Sequence, residues 1–176
     1  MEIDRLRTTQ RVIIIGSPGA GKSTLARALA RTLNLPLFHL DQLKWQPGWV
    51  ELPDEQFRQR LGNVVAGDRW LIDGNYGGSL SIRLARADLV IWLDFPTWLC
   101  LFRAVRRILT YRGTTRPDMT PGCPERFDLD FLVYIGRFRA HGRGRLLSGL
   151  AGYRGTVLQL TKARQVARLL AGGPVD

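Results

Sequence analysis

Cysteine, histidine, lysine and long apolar runs are all scarce in this chain, and each scarcity excludes something. Two cysteines, Cys100 and Cys123, are too few for a disulfide framework, so a cytoplasmic protein held by its core is expected. The spacing of His39 and His141 from each other and from the thiols suggests no metal site of their own. No run nears the ~20 apolar residues of a membrane span. Residues 1–10 mix charge and polarity without a signal-peptide core, so no membrane partner is expected. Acidic residues are outnumbered, 15 against 26 basic, for a formal net charge of +11. Only Lys22, Lys44 and Lys162 are lysines, so the surplus is arginine. Residues 97–155 hold eleven arginines against Asp118, Glu125, Asp128 and Asp130. A polyphosphate clamp, a nucleic-acid surface and a solvated basic face are three readings of that surplus.

What is present is organised around Gly16-Ser17-Pro18-Gly19-Ala20-Gly21-Lys22-Ser23, a full match to G-x-x-x-x-G-K-[ST]. Residues 11–15 before it form a β-branched run of buried-strand length. Residues 24–29 after it are rich in helix formers, with Leu25, Leu29 and Leu33 at helical spacing. The chemistry requires this order. Glycines let successive backbone N–H groups turn inward around a phosphate, and the helix N-terminus adds partial positive charge. Gly16, Gly19, Ala20, Gly21, Lys22, Ser23 and Thr24 are therefore the expected nucleotide cradle. Lys22 would reach the β- and γ-phosphates, and the Ser23 hydroxyl would ligate Mg²⁺. A nucleoside triphosphate, ATP with Mg²⁺, is the expected cofactor.

Five strand candidates (11–15, 37–40, 70–73, 89–93 and 156–160) alternate with helical stretches. That pattern predicts a parallel sheet covered on both faces, in one domain spanning 1–176. Pro53, Asp54 and Glu55 open a helix with Phe57, Leu61, Val64 and Val65 as its apolar stripe. Residues 44–49 read as a Trp-, Pro- and Gly-rich loop. Residues 112–127, with Gly113, Pro117, Pro121, Gly122 and Pro124, read as an excursion outside the sheet. A helix from about 129 is expected to bend or break at Gly142 and Gly144.

Ligands of open parallel sheets lie beyond the carboxyl ends of the strands. Asp41, Asp73 and Asp94 end such strands. Asp73, after four apolar residues, is the expected Mg²⁺-side carboxylate. Asp94, just before Pro96, reads better as a helix-entry residue. Asp41 is the candidate general base for an acceptor hydroxyl. Trp45 and Trp49 are either an aromatic wall for a planar substrate or loop-packing residues. Arg103, Arg106 and Arg107 share one helical face just before the excursion, which suits a mobile arginine-bearing flap.

These residues, with His39-Leu40-Asp41, Pro47-Gly48-Trp49, Asp73-Gly74-Asn75-Tyr76-Gly77-Gly78, Ile82-Arg83-Leu84 and Arg112-Gly-Thr-Thr-Arg-Pro-Asp-Met119, together resemble one family. It is the adenylate-kinase-related P-loop proteins known as DNA topology modulation kinases, and the likeness runs from about residue 11 to the final helix. It implies an α/β, three-layer P-loop fold of nucleoside-monophosphate-kinase type, a five-stranded parallel sheet of order 2-3-1-4-5, and a helical lid. By resemblance, Arg103 and Arg107 are the adenine-stacking and phosphate-binding arginines leading into the lid, and Lys162 is placed to touch the adenine. Asn75-Tyr76-Gly77 stands where adenylate kinases have Phe-Pro-Arg. The arginine that grips a monophosphate is missing there, and Arg83 is its expected substitute.

The combined expectation is a Mg²⁺- and ATP-dependent small-molecule kinase. Lys22, Asp41, Arg83 and Arg107 would be catalytic, and Ser23 and Asp73 would hold the metal. The alternative is a nucleic-acid-associated ATPase affecting DNA topology. The basic residues fall in the lid segment, and the aspartate-ended strands suit a small pocket, so the kinase is favoured.

Overall fold

The computed structural model describes residue 6 and residues 8–173. Its parallel sheet has the order β2-β5-β1-β6-β7, formed by β1 (Arg11–Gly16), β2 (Leu37–His39), β5 (Trp70–Asp73), β6 (Leu89–Leu93) and β7 (Thr156–Leu160). With the two short hairpin strands set aside, this is the expected order 2-3-1-4-5. Burial explains the arrangement: Val12 to Ile15 are wholly inaccessible, as are Leu71, Ile72, Val90 and Ile91. Strands covered on both faces read as continuous apolar runs, and β1, β5 and β6 do so at the centre. The edge strands β2 and β7 are less buried.

The helices are α1 (Lys22–Leu33), α2 (Leu40–Lys44), α3 (Asp54–Ala66), α4 (Leu80–Leu84), α5 (Thr97–Tyr111), α6 (Leu129–Arg137), α7 (Arg143–Leu150) and α8 (Ala163–Ala171). One core packs α1, α5 and α8 on one sheet face through Leu25, Leu29, Cys100, Ala104 and Leu169. The other packs α3, α4 and α7 through Phe57, Leu61, Leu80 and Leu146. Truncating any of these leucines to alanine costs about 2–5 kcal/mol. α1 ends at Asn34 in the left-handed conformation, φ 51°, as the Asn-Leu-Pro sequence predicts.

Two local features differ from the sequence reading. Residues 44–51 are not a plain loop: Trp45–Gln46 (β3) and Val50–Glu51 (β4) pair antiparallel around Gly48 at φ 79° and Trp49 at φ 62°. The short helices α2 and α4 were not foreseen. Between α6 and α7 the expected interruption near Gly142 takes the form of a π-turn at Phe138–Gly142. A Cβ on Gly142 would lie 2.5 Å from the Phe138 ring, so glycine admits that ring at the turn.

Residues 112–128 leave the sheet and fold back onto the β3–β4 hairpin. Gly48 N–H donates to the Gly122 carbonyl at 2.9 Å, the Thr120 hydroxyl to Trp45 O at 2.8 Å, and the Trp49 indole to Pro124 O at 3.1 Å. Hairpin and excursion thus form one wall above the carboxyl ends of the strands.

Candidate active site

Parallel register places the chemistry. Ile14 pairs with Asp73, His39 with Asp73, and Gly16 with Leu93, so β2 and β5 end at one level while β1 runs two residues further to end beside the last residue of β6. A cavity of about 960 Å³ opens there, lined by residues 18–25, Asp41, Asp73 and Arg107 among others. That is room for a nucleotide and a small acceptor together.

Its floor is the phosphate loop. Gly16 and Gly19 take φ 143° and 78°, and a Cβ on Gly19 would sit 2.2 Å from the Cys100 carbonyl oxygen. Only glycine lets the loop curl this closely against α5. Lys22 lies across the loop, donating from Nζ to the carbonyls of Gly16 at 3.0 Å and Ser17 at 3.1 Å. Burial lowers its pKa, and the nearby Asp73 and Asp41 oppose that shift. Asn75 staples the loop's start in both directions: its Oδ1 accepts from Gly16 N–H at 3.0 Å, and its Nδ2 donates to Gly16 O at 2.8 Å. The residue that breaks the adenylate-kinase pattern is therefore a structural partner of the phosphate loop.

Asp73 is buried. Its Oδ2 contacts His39 Nδ1 at 2.9 Å, and its Oδ1 has no hydrogen-bond partner. A buried carboxylate oxygen left unpaired at a phosphate loop fits a hydrated Mg²⁺, as does the Ser23 hydroxyl. On the acceptor side the Trp45 indole donates to Tyr76 Oη at 3.1 Å, and Tyr76 donates to Asp41 Oδ1 at 2.9 Å. Burial raises the Asp41 pKa above the ordinary carboxylate value, only partly offset by the Tyr76 hydrogen bond. The Tyr76 hydroxyl is likewise pushed up by burial and by Asp41. Trp45 and Trp49 meet edge to face at 5.4 Å, and both line the cavity.

The arginines divide into three kinds. Arg103 donates to Ala20 O at 3.0 Å and lies over the Phe95 ring, tying α5 to the phosphate loop. Arg107 and Arg116 share Glu125: Arg107 Nη2 is 3.0 Å from Oε1 and Arg116 Nε is 2.6 Å from Oε2. Arg116 also holds Asp118 at 2.7 Å, and Arg27 lies 3.7 Å from the same carboxylate. Burial alone would raise the Asp118 pKa, but Arg116 and the Ser23 hydroxyl outweigh it and hold it low. Asp118 and Glu125 were read from sequence only as charges in the excursion; their position among its arginines was the available signal.

Arg83 does not line the cavity. It is fully buried, donating to the carbonyls of Gly74 at 2.9 Å and of Asn75, and burial lowers its pKa to about 9. It holds the 74–76 loop from behind, so its place differs from the expected monophosphate grip. Lys162 also stays outside the lining, where its backbone N–H donates to Gln165 Oε1 at 3.0 Å; the neighbouring Ala163, Val166 and Leu170 face the cavity instead. Asp94 is engaged by Arg143 at 3.1 Å and Gln159 at 2.7 Å and does not line the cavity.

Known proteins resemble this chain in sequence and in fold. The model of the ATPase family associated with various cellular activities matches residues 12–70. The shikimate kinase of Corynebacterium efficiens is 32% identical over 127 residues, covering 64% of this chain and 71% of the relative. That of Baumannia cicadellinicola is 31% identical, covering 70% and 77%. The chain belongs to the shikimate kinase family. It is an ATP-dependent kinase on a nucleoside-monophosphate-kinase-like scaffold. Among solved structures, shikimate kinase from Bacteroides thetaiotaomicron superposes with a TM-score of 0.55 at 19% identity, covering 93% of this chain and 96% of that one. Shikimate kinase from Acinetobacter baumannii in complex with shikimate gives 0.52 at 16%, covering 96% and 97%. At those identities the structures speak for the shared fold alone.

Proposed function

We propose that this kinase transfers the γ-phosphoryl group of ATP to a hydroxyl of a small ring-bearing molecule. The acceptor lies between Asp41 and the Trp45–Trp49 wall. The observation that carries this reading is the half-buried Asp41, oriented by Tyr76 on the same cavity as Lys22 and raised in pKa by its desolvation. In the transfer the acceptor oxygen forms a bond to the γ-phosphorus, the bond from that phosphorus to the β–γ bridging oxygen breaks, and the hydroxyl proton passes to Asp41. Lys22 and Arg107 stabilise charge on the transferring group. Ser23 and Asp73 hold Mg²⁺, which supplies charge neutralisation at the phosphates when bound. Asn75, Arg103 and Arg83 keep the loops in register.

A nucleoside monophosphate suits the acceptor side poorly. Arg83 is sealed behind the 74–76 loop, and Arg116 is engaged by two carboxylates. Among the described residues one guanidinium remains at that wall: Arg126, exposed and 5.0 Å from the Trp49 ring. It suits a carboxylate on the acceptor ring, which makes shikimate, the substrate named for the relatives, the first compound to test. The resemblance to DNA topology modulation kinases is read as kinship of scaffold and lid motif. Arg107 and Arg116 of the basic segment turn inward to acidic partners, which weakens the nucleic-acid reading. Labelled ATP offered with shikimate, other ring alcohols and nucleosides tests the proposal. Label on a hydroxyl compound with the native chain and none with Lys22→Ala supports it; transfer only to nucleoside monophosphates refutes it.

A further inference from the structure

The proposed transfer gives His39 no task, yet its placement is tightly constrained. His39 ends β2 as Asp73 ends β5, and the two are register partners in parallel strands, so their side chains leave the sheet on the same face. Both side chains are buried, 8% and 5% exposed, and both line the cavity. The residues that follow lock the pair in place. Leu40 is wholly inaccessible, and a Cβ on Gly74 would lie 2.9 Å from the Leu40 Cβ. Glycine at 74, with φ 133°, lets the two strand ends close on each other.

The contact between them runs in one direction. A carboxylate has no hydrogen to give, so at 2.9 Å His39 donates its Nδ1–H to Asp73 Oδ2. That oxygen is spent. Asp73 Oδ1 is buried without a hydrogen-bond partner and is the oxygen left for a cation. Among the described residues no three acidic, histidine or cysteine side chains gather into an ion cage, so phosphate and water oxygens would complete the coordination of any metal here. How many oxygens Asp73 offers therefore weighs heavily on which ion is held.

We infer that His39 sets the metal preference of the site: by holding Asp73 Oδ2 it restricts that carboxylate to a single oxygen, which suits Mg²⁺ and disfavours Ca²⁺. The inference rests on the proposed placement of Mg²⁺ at Ser23 and Asp73. Mg²⁺ is small, demands octahedral geometry and keeps several waters, so one fixed carboxylate oxygen beside the phosphates serves it. Ca²⁺ takes about six to eight oxygens and readily uses both oxygens of one carboxylate. Free to turn, Asp73 would offer Ca²⁺ two; held by His39, it offers one. His39 is thus a positioning residue that acts through Asp73 and is not itself a ligand. Such partners of ligating carboxylates typically alter metal affinity by about 10–100-fold when removed.

Calorimetric binding of β,γ-imido-ATP to the full chain, with Mg²⁺, with Ca²⁺ and with EDTA, tests this without turnover. The native chain should bind more tightly with Mg²⁺ than with Ca²⁺. His39→Phe keeps a ring and removes the donor. Its affinity with Mg²⁺ should fall about tenfold, while affinity with Ca²⁺ holds or rises and affinity in EDTA is unchanged. His39→Asn sets an amide N–H in place of Nδ1 and should return the ratio of the two metals to within about twofold of native. Asp73→Asn should abolish the gain that Mg²⁺ gives over EDTA. If it leaves that gain intact, the metal placement fails and the inference with it. If the gain is lost there but His39→Phe keeps the native ratio, the inference alone is overturned. A His39→Phe chain weakened equally in all three conditions, or a His39→Asn chain that behaves like His39→Phe, overturns it as well.

Discussion

Tyr76 donates its phenolic hydrogen to Asp41 at 2.9 Å while accepting from the Trp45 indole at 3.1 Å. These two bonds orient the Asp41 carboxylate and tie the β3–β4 wall to the loop after β5. Asp41→Asn should lower kcat by about 10²–10⁴ with little change in KM for ATP. Tyr76→Phe, which keeps the carboxylate but frees its orientation, should cost about tenfold. Steady-state kinetics on both variants checks the order; equal losses would point to packing rather than proton transfer.

Because burial raises the Asp41 pKa, the acid limb of kcat/KM should lie above the ordinary carboxylate range and vanish in Asp41→Asn. Stability has the opposite sign. A carboxyl whose pKa is raised by folding stabilises the folded state only while protonated, below its unfolded value of 3.8, and that contribution is lost as pH rises through the folded value. Asp41→Asn should therefore have the higher Tm at pH 7, with the gap closing as pH falls toward 3.8. Thermal melts across that interval check it.

Glu125 anchors Arg107 and Arg116 at once, at 6% side-chain exposure. Glu125→Ala leaves two guanidiniums without their shared partner and should cost about 3 kcal/mol of stability. Glu125→Gln keeps an acceptor for one guanidinium but turns an NH₂ donor toward the other and removes the charge, and should mainly raise KM for ATP. A glutamine variant with native kinetics would place these arginines outside phosphate binding.

Arg126 and Arg83 make opposite predictions. Arg126→Ala should raise KM for a carboxylated acceptor about tenfold and leave stability within ~0.5 kcal/mol. Arg83→Met leaves the carbonyls of Gly74 and Asn75 unpaired and should destabilise the chain by about 2–4 kcal/mol. Parallel acceptor titrations and chemical denaturation separate the two roles.

Much of this was legible in the residues alone. Strands β1, β5 and β6 announce themselves as apolar runs, and the phosphate loop is a local motif whose glycines act on their own backbone. Asp41 and Asp73 could be placed because strand ends converge in any parallel sheet. Arg83 could not, because a long side chain's direction depends on which carbonyls the neighbouring loop leaves unsatisfied. Asn75 was visible only as a departure from a pattern, since its partner Gly16 lies 59 residues away. The hairpin at Trp45 escaped because strands of two residues carry no periodicity, and its pairing depends on contacts from residues 120–124.

The most direct test is transfer of γ-labelled phosphate from ATP to a ring alcohol, followed for the native chain and for Asp41→Asn at matched ATP occupancy. The account predicts labelled acceptor in step with ADP for the native chain, and in the variant a transfer rate lower by at least ~100-fold with ATP still bound. Undiminished transfer by Asp41→Asn, or ADP release by the native chain indifferent to every hydroxyl compound offered, would contradict it.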